Sequence, residues 1–178
     1  MIVSILIALS RRGAAVLAVV ASLGIFAWLL LGDSDETKIL ARLAELANAV
    51  ETKSDENMAF RALRLKPVFE EGLEPGAALR APELPETNGV KDLTALAASV
   101  PRFYGDLDVS IGETDVRIEP EAHEARVTAA VTVTGNVGGE LRRDKRVVRF
   151  TLRERDGEWR VSFIEVEPKT HEEPEARP

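Results

Sequence analysis

The residues able to carry acid–base, nucleophilic or metal chemistry are few. The chain has two histidines, His123 and His171, a single tyrosine, Tyr104, and no cysteine. Without cysteine there is no disulfide, no thiolate metal site, no cysteine nucleophile and no lipid-modified N-terminal cysteine. His123 stands at the start of a long alternating segment and His171 in a polar tail. Neither a histidine metal site nor a Ser-His-Asp triad then has the partners it needs, and His123 is expected at a strand end on the surface. Gly135, Gly138 and Gly139 lie between two strand-like segments, not ahead of a helix, where backbone N–H groups would cradle a phosphate. The carboxylates are many, yet none shows the spacing of a calcium loop. The sequence names no catalytic, cofactor-binding or metal-ligating residue and implies no cofactor.

Charge narrows the partners. The formal net charge is −7, and Arg11 and Arg12 are the only charged residues before Asp33. Everything after Gly32 is therefore more acidic still and repels phosphate backbones, so no nucleic acid is expected as a partner.

Residues 13–32, GAAVLAVVASLGIFAWLLLG, carry no charge. As a helix rising about 1.5 Å per residue they would extend about 30 Å, the thickness of a bilayer's hydrocarbon core. Arg11 and Arg12 precede them and Asp33, Asp35 and Glu36 follow, which orients the N-terminus toward the cytoplasm. Leu30, Leu31 and Gly32 make a poor signal-peptidase site, so the segment is expected to remain as an anchor. Residues 2–9 are apolar but too short to span. The expected organisation is a cytoplasmic segment at 1–12, a transmembrane helix at 13–32, one domain at 33–167 and a disordered tail at 168–178. The domain would lie in the periplasm or outside the cell, tethered to the inner or cell membrane.

Within the domain, Ile39, Leu40, Leu43, Leu46, Ala47 and Val50 recur at spacings of three and four, predicting an amphipathic helix over about 36–52 with Asp33, Ser34 and Asp35 as candidate caps. A second helix is predicted after Ser54 and Asp55, with Met58, Ala59, Ala62, Leu63 and Leu65 apolar and Pro67 ending or turning it. Residues 70–88, rich in Glu, Pro and Gly, read as an irregular connection with at most one short strand. A third helix fits 90–100, closed by Pro101.

After Tyr104 the period becomes two. Leu107, Val109 and Ile111, then Val116 and Ile118 beyond a turn at Gly112, predict two strands. Ala125, Val127, Ala129, Val131 and Val133 alternate with polar residues in a long half-buried strand. A loop at 135–140 leads to a strand over about 145–154, with Val148, Phe150 and Leu152 inward. Asp156 and Gly157 then turn tightly into a last strand with Trp159, Val161 and Phe163 inward. Helices followed by antiparallel strands describe an α+β domain whose sheet packs one face on the helices.

The closing hairpin RERDGEWRVSFIEV at 153–166, its Asp156-Gly157-Glu158-Trp159 turn, and the preceding strand HEARVTAAVTVTG resemble the nuclear transport factor 2-like (NTF2-like) superfamily, including its SnoaL-like branch. The resemblance covers about residues 36–166 and implies about three helices packed on a curved, mainly antiparallel sheet that forms a cone. It does not fix function, because that cone hosts isomerases, dehydratases and epoxide hydrolases as well as catalytically silent binding domains. The isomerase type needs a tyrosine and a protonated carboxylic acid as donors, with a carboxylate base, around an apolar pocket. Here Tyr104 ends a helix, and Glu165 is the only carboxylate among the expected inward positions. The hydrolase type resembles an Asp-Arg-Asp relay, whereas Arg117, Arg126, Arg149, Arg153 and Arg160 alternate onto the outer face. The family dimerises commonly through that face, so a homodimer or protein partner there is the leading expectation. The alternative is an NTF2-like pocket that binds or isomerises a small apolar molecule.

Overall fold

The computed structural model describes residues 34–51, 56–137 and 139–168. The expected transmembrane helix at 13–32 and the tail from residue 169 fall outside these, and no helix among the described residues is long and apolar enough to cross a membrane. The chain divides into two units, Met1–Lys38 and Ile39–Pro178. Of the first, only Ser34–Lys38 is described, where Ser34, one of the three candidate caps, accepts the Thr37 amide through Oγ at 3.2 Å.

The second unit is an α+β fold. Helix α1 (Asp35–Val50) buries Ile39, Leu43, Leu46 and Ala49 on one stripe. Helix α2 (Met58–Gly72) follows, with Asn57 Oδ1 accepting the Ala59 amide as its cap. Strands β1 (Leu73–Ala81) and β2 (Leu84–Asn88), helix α3 (Val90–Ser99) and a single turn α4 (Pro101–Tyr104) come next. The chain ends in β3 (Leu107–Glu119), β4 (Glu124–Val137), β5 (Glu140–Arg155) and β6 (Glu158–Val166). The six strands form one sheet in the order β2-β1-β6-β5-β4-β3. All neighbours are antiparallel except β1 and β6. The three longer helices and the inner sheet face share one core that includes Leu65, Phe69, Leu93, Val127, Leu152, Trp159 and Val161.

Several sequence expectations are corrected here. Pro67 does not end α2 but sits inside it. Its missing N–H leaves the carbonyl of Leu63 unbonded, and both residues are exposed, so water can replace that bond. The buried face of α2 is Arg61, Leu65, Phe69 and Gly72, while Met58 and Leu63 face solvent. Residues 73–81 and 84–88, expected to be irregular, form β1 and β2. Pro75 and Gly76 are tolerated because the β1–β6 pairing shifts register between Leu73 and Ala78. Gly112 is no turn but part of a bulge in the continuous strand β3, where Ile111 pairs with Val131 and Thr114 with Ala129. Most of the expected loop at 135–140 is strand, because β4 and β5 pair without interruption from Glu124↔Arg153 to Val137↔Glu140.

A second bulge changes which residues face inward. Thr151 pairs with Phe163 and Leu152 with Val161, so Ser162 is an extra residue on β6. One extra residue reverses the alternation. Trp159 and Val161 point into the core, and beyond the bulge it is Ile164 that packs there. Phe163, expected inward, lies on the outer face with the Arg80 guanidinium 5.3 Å from its ring centre. Glu165 also moves outward, where Arg149 and Arg80 pair with it. The Asp156-Gly157 turn forms as expected, with φ of 54° and 81°.

Candidate functional site

The inner side of the sheet and the helices enclose packed side chains. Ile39, Leu65, Leu152 and Val161 have no exposed surface and Trp159 has 3%. Among them sits a full arginine: Arg61 is 0% exposed. Its Nε donates to the Ala97 carbonyl at 3.1 Å, near the C-terminal end of α3. Its Nη1 donates to the Glu51 carbonyl and to Glu56 Oε2, both at 3.1 Å, and its Nη2 to the Val50 carbonyl. Helix C-termini end in carbonyls without intrahelical partners and carry partial negative charge. One planar guanidinium therefore joins the ends of α1 and α3 to the start of α2. Burial lowers the Arg61 pKa from its ordinary value, and the Glu56 carboxylate opposes that shift. Arg64 shares Glu56 through Nε at 2.9 Å and caps the Ala49 carbonyl at 2.9 Å. The Glu56 hydrogen bond raises its pKa.

This guanidinium was not legible in the sequence. The spacing Arg61, Leu65, Phe69, Gly72 is the signal that could have revealed it, since it continues the buried stripe by one turn.

Where the cone opens, past the end of α1, lies a groove of about 940 Å³. Asn48, Glu51, Phe60, Arg64, Asp106, Asp108, Asn136 and Leu141 are among its walls. Phe60 is 71% and Leu141 78% exposed, so the groove presents two large apolar side chains beside its polar lining groups. Among the described residues no three His, Asp or Glu side chains gather closely enough to hold a metal ion.

The residues weighed from the sequence are dispersed. His123 is exposed at the start of β4 and reaches Glu154 Oε2 through Nδ1 at 3.0 Å, the surface strand-end position expected of it. Tyr104 closes the short helix α4. Glu165 is on the outer face, away from the core. Arg117, Arg126, Arg149 and Arg153 stand outward as alternation predicts. They take part in ion pairs with Asp115, Glu119, Glu124, Glu165 and Glu167. His171 lies outside the described residues.

No protein-family model matches the sequence, and no curated protein does. Solved structures match in fold. A putative scytalone dehydratase from Novosphingobium aromaticivorans superposes with a TM-score of 0.60 at 12% identity, over 76% of this chain and 85% of that one. Hexachlorocyclohexane dehydrochlorinase LinA-type3 from Novosphingobium barchaimii gives 0.61 at 15% identity, over 74% and 84%. An NTF2 variant gives 0.52 at 10% identity, over 75% and 100%. The fold is NTF2-like. At these identities the likeness concerns architecture alone.

Proposed function

We propose that this chain is a membrane-anchored interaction domain, held by residues 13–32 and presenting the outer face of its NTF2-like sheet to a protein partner. The observation that carries this reading is the filled cone. Where a catalytic member of the fold would need an apolar pocket with convergent donors, this chain places Trp159, Leu152, Val161 and Leu65 in one buried apolar cluster. The one charged side chain there, Arg61, has its donors occupied by backbone carbonyls and Glu56. The outer face instead offers threonines, arginines and carboxylates from five strands to whatever lies beyond it.

A second reading rests on the groove at the mouth. Its volume is within the range of small-molecule sites, its walls mix polar groups with Phe60 and Leu141, and two fold neighbours are named as a dehydratase and a dehydrochlorinase. Native mass spectrometry of the full chain, released from detergent after purification from cells, separates the two. A dimer or a co-purified protein without added small mass supports the interaction domain. A retained mass of a few hundred daltons that Phe60→Ala removes overturns it in favour of a small-molecule site. The anchor is tested separately: protease added outside intact spheroplasts should digest the domain, and its protection would refute the orientation.

A further inference from the structure

Arg160 of β6 has no counter-charge among the described residues. Its guanidinium takes part in no ion pair, and its Nε is closed to solvent without a hydrogen-bond acceptor. A buried donor left unpaired forfeits the bonds that water would give it, so such an atom in a folded domain points to a partner that is absent. Arg142 and Arg143 differ, because both are exposed and water solvates them.

The register places a second arginine beside it. Arg160 stands directly across from Arg153 of β5, and side chains so paired share one face with Cβ atoms about 5 Å apart. Like charges at that spacing repel unless an anion lies between them. The neighbouring carboxylates are engaged elsewhere. Glu124 lies 3.0 Å from Arg126 and only 3.9 Å from Arg153. Glu158 turns to Arg42 of α1 at 3.2 Å. Glu74 of β1 is buried, with Oε1 2.9 Å from Arg155 Nε, an ionic approach without hydrogen-bond alignment. Strand β6 runs between β1 and β5, with Val161 beside Leu73 and Glu158 beside Arg155. The Arg155–Glu74 pair therefore crosses the stretch of β6 that carries Arg160. That crossing screens the Arg160 Nε from water and supplies it no acceptor.

We infer that the outer face carries a site for one oxyanion, a carboxylate or phosphate group, held between the guanidinia of Arg160 and Arg153 near the β5–β6 turn. A guanidinium is a planar fork whose parallel N–H bonds match two oxygens of such a group. One anion there relieves the repulsion between the arginines and satisfies the orphaned donor together. Arg155, 62% exposed, can swing aside to admit it and adds a third guanidinium. A single oxyanion suits the site better than a polyanion, because the chain as a whole has a formal net charge of −7 and repels extended negative charge. Such a site needs no protein at the face and so stands apart from the proposed function.

The test is a titration of the full chain in detergent with inorganic phosphate and, separately, with acetate, in chloride buffer at constant ionic strength. Proton–nitrogen correlation NMR follows the arginine Nε–Hε signals, and the signal lost in Arg160→Lys is that of Arg160. It should move saturably with at least one of the two anions, with half-saturation at about 1 mM. Arg153→Gln should weaken this response about tenfold or more, and Glu74→Gln, which releases Arg155, should strengthen it. Arg142→Gln, at the far end of β5, should leave it unchanged. The Arg153 side chain is 53% exposed, and matching circular dichroism spectra exclude unfolding in each variant. A signal that stays still with both anions, or that moves as much in Arg153→Gln as in wild type, overturns the site. A dimer or protein partner at this face together with a still signal overturns the site and leaves the proposed function in place. A saturable response in a chain that binds neither a copy nor a partner sustains the site and overturns the proposed function.

Discussion

Removing the Arg61 guanidinium should destabilise the domain well beyond the loss of an ordinary surface charge. In Arg61→Met the chain keeps most of the side-chain volume, so the packing of α2 is largely retained. What disappears are four hydrogen bonds. They are not equivalent. The Glu51 carbonyl keeps Arg64 Nη2 at 3.2 Å, and the Ala97 carbonyl keeps the Val100 amide at 3.4 Å. Glu56 keeps both its bonds to Arg64. A partly buried acceptor left without a partner costs about 1–3 kcal/mol and a weakened one about 0.5–1.5 kcal/mol. With the Val50 carbonyl in the first class and two carbonyls in the second, the loss is about 3 kcal/mol. Relief from desolvating a buried cation works in the opposite direction, but a methionine side chain offers these carbonyls no donor in exchange. At roughly 4 °C per kcal/mol for a domain of this size, the melting midpoint should fall by about 10 °C. Far-UV circular dichroism of the full chain in detergent measures it. A midpoint within 2 °C of wild type, or a rise, would refute the view that this arginine clamps the helix ends.

Three further outcomes follow from the packing and the charges. Ile164→Asp should cost about 3 kcal/mol or more and Phe163→Asp about 1 kcal/mol, because the Ser162 bulge turns Ile164 into the core and Phe163 outward; urea denaturation showing the reverse order would place the bulge elsewhere. Gly72→Ala should destabilise by about 1–2 kcal/mol in the same assay, since an added Cβ would lie 2.9 Å from Leu46 Cδ2 and 3.3 Å from Arg42 Cδ; an unchanged midpoint would show that α1 gives way there. The hydrogen bond from Arg146 Nη2, at 2.8 Å, holds the Glu83 carboxyl below its ordinary pKa. Its stabilisation is therefore present above the ordinary glutamate range and lost as pH falls through the depressed value. Exposure keeps the effect small, so the check is an NMR titration of the Glu83 carboxyl carbon, and a midpoint at or above the glutamate reference would contradict the pair.

Much of this domain is dictated by local pattern. Two-residue alternation from Ala125 to Val133 makes a strand in any context that offers it one apolar side. The Asp156-Gly157 dipeptide adopts its left-handed turn because no longer connection is needed, and the periodicity from Ile39 to Val50 yields α1. These signals suffice for the α+β class and for the resemblance to an NTF2-like cone. The absence of cysteine and the isolation of His123 are likewise properties of composition. What the sequence could not decide depends on contacts between distant segments. Leu73–Ala81 becomes a strand because β6 lies alongside it in parallel, not because Leu-Glu-Pro-Gly-Ala-Ala favours one. Pro67 stays helical because its lost hydrogen bond falls on the solvent side. The single residue Ser162, extra only relative to β5, reverses Phe163 and Ile164 between core and surface. Arg61 reads as a surface charge until the ends of α1 and α3 converge on it, since only assembled helix termini present the carbonyls that make its burial favourable. Local propensity sets the elements; bulge positions and buried polar partners exist only between elements, so tertiary structure alone assigns them.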